Sequence, residues 1–200
     1  MTTSRDPLTS ESIGDPARFL SFAELSGALG ALPVAPRETG GVALLVRRRE
    51  LGRREAPERL RLTPEAGMPG DAWSQRGVPN PVAQLAVIQA DVARLIANGQ
   101  PLPLFGDNLF LDLDLSAANL LPGSRLRVGD ALLEVTPKAH NGCHKFRARF
   151  GADALRFVSD PLLRPRNLRG IYMRVLEAGD VGVGDRIAVL SRSIAAVTTG

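Results

Sequence analysis

Two hundred residues with 25 basic and 21 acidic side chains, two histidines and one cysteine already exclude several classes of protein. A lone cysteine cannot build a disulfide framework, and 44% hydrophobic with 23% charged residues describes a folded globular chain, not a disordered or fibrous one. A single domain of this size removes about 70% of its unfolded surface from water, and with only 4% aromatic residues its core is expected to be aliphatic.

Residues 1–39 read as a polar lead and one helix, an N-terminal extension to the main domain. Phe19, Phe22, Leu25 and Leu29 recur at helical spacing after Asp15-Pro16, a capping residue followed by a first-turn proline. Gly30, Pro33 and Pro36 end the helix. From Gly40 the pattern turns to strands: Val42 to Val46, Arg59 to Leu62, Gln84 to Gln89, and Leu109 to Leu115, where every second residue is leucine. Gly129-Asp130 and Gly184-Asp185 each stand beside a β-run, Ala131 to Val135 and Arg186 to Leu190, as tight-turn chemistry. Gly170 to Leu176 adds another strand, giving about seven or eight in all. Short helices interrupt at Ala90 to Ala97, stopped by Asn98-Gly99, at His144 to Phe150 and at Ala152 to Val158. The expectation is a mainly β domain over residues 40–192, a barrel or sandwich, followed by a tail at 193–200.

The start carries acids and prolines where a signal peptide needs a basic end and an apolar run, and no apolar run reaches about 18 residues. A cytoplasmic location without a membrane partner is expected. The formal net charge of +4 comes wholly from the stretch Arg47 to Arg61, in which seven arginines face Glu50, Glu55 and Glu58. No aromatic residue lies in that stretch, so it reads as a solvated, partly self-paired loop and strand, and nucleic acid is not expected as a partner. Asp112 and Asp114 read as a solvated strand face, Asp107 and Asn108 as turn residues ahead of a strand, and Trp73 as either a cover for a site or a filler of a gap.

The segment Lys138 to Arg149 holds the only cysteine, both histidines and four Lys or Arg with no acid. A helix starting just after Gly142 places Cys143 at its positive end, with Phe146 and Phe150 on the stripe facing the domain and Arg147 and Arg149 flanking the sulfur. Cations and a helix start favour the thiolate, the form that reacts and that binds soft metals. A buried, inert small hydrophobe is the other reading of a single cysteine. Zinc is not expected, because His140, Cys143 and His144 lack a fourth ligand at a recognised spacing.

Cys143-His-Lys-Phe146 with Ala148-Arg-Phe-Gly151, preceded by Leu126 to Thr136, resembles the core of the MOSC domain, named after the C-terminal part of molybdenum cofactor sulfurases. Gly67 to Asp71, Phe105 to Leu109, and Gly170 to Gly179 with Val183 to Asp185 resemble further family segments in the same order. Ala72-Trp73 follows Asp71 where the family commonly has a histidine, and Gly142 precedes the cysteine where proline is frequent. The resemblance implies a β-barrel that binds the pterin molybdenum cofactor. It implies Cys143 as metal ligand and reactive group, with Asp71, Asn108, Lys138, His140, His144, Lys145 and Arg147 as cofactor-binding residues. It further implies reduction of N-oxygenated compounds with an electron-transfer reductase as partner. The alternatives are a sulfur carrier whose Cys143 persulfide is loaded by a pyridoxal-phosphate cysteine desulfurase, and a non-enzymatic β-barrel that binds a partner through the arginine stretch.

Overall fold

The computed structural model describes residues 13–50 and 53–193. Most of the polar lead and of the expected tail lie outside these residues. The strands are β1 (Thr39–Leu45), β2 (Arg47–Arg48), β3 (Arg54–Glu55), β4 (Arg59–Leu62), β5 (Leu85–Gln89), β6 (Leu109–Asp112), β7 (Arg125–Val128), β8 (Ala131–Ala139), β9 (Ile171–Glu177), β10 (Gly179–Gly182) and β11 (Arg186–Ser191). The α-helices are α1 (Phe22–Ala31), α2 (Ala90–Ala97), α3 (His144–Phe150) and α4 (Ala152–Ser159).

Seven strands close a barrel in the order β1, β11, β7, β8, β9, β5, β6, with β6 returning to β1. Closure removes the exposed edges that an open sheet would leave for aggregation. All neighbours in the barrel are antiparallel except β5 and β6, which run parallel and are joined through α2. Parallel neighbours need such a crossover, because a hairpin turn cannot reverse the chain twice. Outside the barrel, β4 pairs with β10 and β2 with β3 as two short ribbons.

Alternation along the strands sorts side chains into two cores. Leu109, Leu111, Leu126, Val128, Leu133, Val135, Met173 and Val175 fill the barrel interior, which is aliphatic as composition requires. Phe110, between two of those leucines, points outward into a second core under the helices, with Leu25, Ile88, Val92, Ile96, Phe105, Phe146, Phe150 and Phe157. β5 is therefore buried on both faces, and its run Leu85 to Ile88 has no polar side chain. The few aromatic rings are concentrated in this outer layer: the Phe105 ring centroid lies 4.2 Å from that of Phe150 and 5.9 Å from that of Phe146.

Three local expectations need correction. The helix does not run from Asp15. Asp15 caps only a 3₁₀ turn, Pro16–Arg18, and Phe19 is extended. α1 starts afresh at Ser21, whose hydroxyl and Glu24 form a reciprocal capping box. The strand expected over Leu109 to Leu115 ends at Asp112, because the Asp114 N–H turns to the Pro36 carbonyl and its carboxylate takes the Ser116 N–H. Leu113 and Leu115 keep their places in the barrel interior. The arginine stretch is only partly a solvated face, since two of its arginines turn inward. Among the described residues no helix is long and apolar enough to cross a membrane.

Candidate functional site

The centre of the site is the segment between the 3₁₀ turn Leu102–Phe105 and β6. Gly106 has φ +74°, a left-handed conformation that suits glycine, and it sets Asp107 and Asn108 into the protein with no exposure at all. The Asn108 amide is fully engaged. Its Oδ1 accepts from the Ala86 N–H and from Arg48 Nη2, both at 3.1 Å, and its Nδ2 donates to the Val46 carbonyl at 3.3 Å and to Asp71 Oδ1 at 3.1 Å. One side chain thus ties the end of β1, the start of β5 and the loop that carries Asp71. The two residues do more than make a turn.

Asp71, itself buried, completes the clasp with a 2.6 Å ion pair to Arg48, and it also accepts from the Arg48 and Trp73 backbone N–H groups. Burial pushes its carboxyl up, but the hydrogen bonds and charge of Arg48 outweigh this and hold it below the ordinary range. Trp73 is a gap filler: it is buried, and its indole N–H closes the loop on the Asn80 carbonyl.

Asp107 takes a different partner. Both its oxygens accept from Arg169 Nη1, at 3.0 and 2.8 Å, and Oδ1 lies 3.5 Å from His140 Nδ1. Complete burial raises its carboxyl above the usual range, against the pull of Arg169, Arg48 and Arg149. The His140 side chain is 6% exposed and its ring stacks on Tyr172 at a centroid distance of 4.4 Å. Burial, then the charges of Arg169 and Arg48, push its pKa well below the ordinary value, so the imidazole is neutral at pH 7. Burial and Asp107 push the Tyr172 phenol upward.

Around Gly106 the arginines converge. Arg48 Nη1 donates to the Gly106 carbonyl at 3.4 Å, and a β-carbon at Gly106 would lie 3.5 Å from Arg54 Nε and 3.8 Å from Arg149 Nη1. Burial, then the charges of Arg149 and Arg48, lower the Arg54 guanidinium to about 10, so it stays charged at neutral pH among like charges. Arg149, expected beside the sulfur, is instead buried, with its charge directed at Arg54 and Asp107.

Cys143 is exposed and forms the N-cap of α3, with no capping hydrogen bond from its side chain. The helix starts where the sequence places it, because Phe146 and Phe150 bury their rings against Phe105. Leu155 of α4 packs over Gly142, leaving a β-carbon there only 2.4 Å from its Cδ1. Lys138, His144 and Arg147 are exposed on the same β8–α3 segment, and Lys145 is half-buried. The sequence-chosen residues thus form two groups. Asp71 and Asn108 touch each other and hold Arg48, whereas Lys138, His140, Cys143, His144, Lys145 and Arg147 follow one another from the end of β8 through the loop into α3. The link between the groups is Asp107 with His140 and Arg169.

Sequence reading missed Arg169, Arg48 and Arg54 as site residues. Arg48 and Arg54 sit in a stretch in which four other arginines pair on the surface: Arg47 and Arg49 with Glu55, Arg59 with Asp185, and Arg61 with Asp180. Only the β2–β3 ribbon decides which side chains turn in. Arg169 carries no periodic or motif signal, and its partner is 62 residues away.

The profile of the MOSC domain matches residues 81–188, more than half of the chain, so the protein belongs to the MOSC-domain family. Among solved structures, the YuaD protein from Bacillus subtilis is similar at 21% identity over 77% of this chain and 97% of that one, with a TM-score of 0.56. YiiM from Escherichia coli is similar at 21% identity over 82% of this chain and 73% of that one, with a TM-score of 0.51. At these identities the likeness establishes the shared fold. No curated protein matches the sequence.

Proposed function

We propose that this MOSC-domain protein binds a pterin molybdenum cofactor, with Cys143 as a ligand to the metal, and reduces N-hydroxylated compounds. The observation that carries this reading is the convergence of Arg48, Arg54 and Arg149 on Gly106, beside the helix that presents the thiol. Several guanidinium groups at one turn suit an anion, and a phosphate offers oxygens for several N–H donors at once. Arg54 and Arg149, with Arg48 behind them, would hold the cofactor's phosphate. Lys138, His144, Lys145 and Arg147 would face the rest of it from the β8–α3 segment. Asp71 and Asn108 act by fixing Arg48.

Among the described residues no group of three or more His, Cys, Asp or Glu is placed to hold a metal. A metal ligated by Cys143 therefore needs most of its coordination from its own organic cofactor, which suits a pterin dithiolene and a soft thiolate. When bound, the cofactor supplies two-electron redox chemistry at an oxygen-accepting metal. The overall reaction takes an N–OH group, two electrons and two protons to N–H and water, with the electrons delivered by a separate reductase.

Molybdenum analysis of protein made in a host that produces the cofactor tests this reading. The expected result is close to one metal per chain, lost in Cys143→Ser. Absence of metal from the wild type, or full retention in Cys143→Ser, overturns it.

A second reading is favoured by one observation, the exposure of Cys143. As a sulfur carrier, its thiolate would accept sulfane sulfur from a desulfurase-bound persulfide and release the desulfurase thiolate. Intact mass after incubation with a cysteine desulfurase and cysteine should then rise by one sulfur atom at Cys143, and an unchanged mass counts against it. Partner binding through the arginine stretch is disfavoured by its surface ion pairs.

A further inference from the structure

Arg169 and His140, the partners of Asp107, also line a cavity of about 310 Å³. Its walls are the β8–α3 loop with His140 and Asn141, the end of α4 with Val158 and Ser159, and the segment from Arg164 to Gly170. No acidic residue lines it. Arg164 and Arg169 bring two cations, and Arg164 makes no ion pair among the described residues.

Arg169 uses only one of its three nitrogens on Asp107. Its side chain is 10% exposed, and its Nε is buried with no hydrogen-bond partner. The Nε and Nη2 hydrogens of a guanidinium point the same way and form a fork that matches the two oxygens of a carboxylate. That fork is the part of Arg169 that Asp107 leaves over. The Phe146 ring lies 5.1 Å below the guanidinium carbon and fixes its plane. His140 turns its Nδ1 to Asp107, at 3.5 Å from Oδ1, and lines the cavity beside Arg169. A buried donor with no partner costs about 1–3 kcal/mol, so Arg169 points to a group that completes it.

The wall is preformed. Asn167 is left-handed at φ 50° and its amide donates to the Leu115 carbonyl at 2.8 Å, and Gly170 has φ +98° in contact with β5. We infer that this cavity binds a small organic monocarboxylate, its carboxylate held between Arg169 and Arg164 and its apolar body against Val158, Leu168 and the His140 ring. The single charge follows from the balance of the walls: Asp107 already opposes Arg169, which leaves Arg164 as the uncompensated cation. The volume sits at the small end of the range for ligand sites, about 300–1,000 Å³.

The site rests on its own wall groups and needs no bound cofactor. Where the reduction proposed above holds, the carboxylate is the anchor of its substrate, since the loop that carries His140 continues to Cys143.

Titration calorimetry of the full-length, cofactor-free protein with benzoate tests the inference, with benzamide and inorganic phosphate as comparison probes. Benzoate should bind, with benzamide at least tenfold weaker and phosphate weaker than benzoate. Arg164→Gln, at an exposed position, should weaken benzoate about tenfold. The paired substitution Asp107→Asn with Arg169→Gln, which removes both buried charges together, should abolish binding while circular dichroism shows the fold retained. Absence of benzoate binding to the wild type, equal binding of benzamide, tighter binding of phosphate, or unchanged affinity in Arg164→Gln overturns the inference. None of these results bears on whether molybdenum is bound, so the two readings fail separately. Should the paired variant not fold, Arg164→Gln and the benzamide comparison decide alone.

Discussion

Replacing Asn108 with alanine should cost the protein about 3–4 kcal/mol of stability. The amide makes four hydrogen bonds of 3.1–3.3 Å in a fully buried place. Each is worth about 1 kcal/mol net, and the Ala86 N–H and Val46 carbonyl lose a partner that water cannot replace. For a domain of this size, about 2–4 °C of melting temperature follows each kcal/mol, so a fall of roughly 6–16 °C is expected. Asn108→Asp is the informative companion. It keeps the shape and the acceptor for Ala86 and Arg48, but it turns an oxygen toward the Val46 carbonyl and the Asp71 carboxylate. It should be at least as damaging as alanine at pH 7, and should recover as acid protonates it. Urea unfolding followed by circular dichroism, with thermal scans at pH 7 and in acid, measures both. A loss under about 1 kcal/mol for Asn108→Ala, or an aspartate variant as stable as the wild type at pH 7, would refute the view of Asn108 as the clasp that holds Arg48 and Asp71.

Three further outcomes follow from the same site. The pKa of His140 is lowered in the fold, so below about pH 6.5 the unfolded chain takes up the proton first and stability falls with pH through the folded value; His140→Gln should flatten that slope in urea titrations between about pH 7 and 5. Asp107, raised by burial, acts in the opposite sense, so the His140 contribution is read from the difference between variant and wild type. Asp71 is lowered, so its contribution is complete above about pH 4 and is lost as pH falls through the folded value; Asp71→Asn should be less stable at pH 7 yet show a shallower acid limb. Gly170→Ala should cost about 3 kcal/mol or more by urea unfolding, because φ is +98° and the new methyl would stand 2.1 Å from the Val87 carbonyl oxygen.

How much of this was legible in the sequence depends on the range of the interaction involved. The helix at 90–97 and the one at 144–150 follow from local apolar spacing and from the Asn98 and Gly142 punctuation, and both stand where they are expected. The leucine alternation from Leu109 gives the inward face of β6, but it does not reveal that Phe110 is equally buried, because the outer layer is built by helices distant in sequence. A low aromatic share likewise hides that the phenylalanines gather under α3. The thiol's place at a helix start is local and legible. The arginine site is not: Arg48 and Arg54 differ from Arg47 and Arg49 only in the face of a two-residue ribbon, and Arg169 reaches Asp107 only once the barrel has closed. Buried charges are placed by long-range pairing, and composition cannot announce them.

The molybdenum X-ray absorption fine structure of the purified holoprotein tests the central claim most directly, since it counts sulfur neighbours of the metal. Wild-type protein should show one more sulfur ligand than any metal retained by Cys143→Ser. Identical sulfur shells in the two proteins would contradict the assignment of Cys143 as the protein's ligand to the metal.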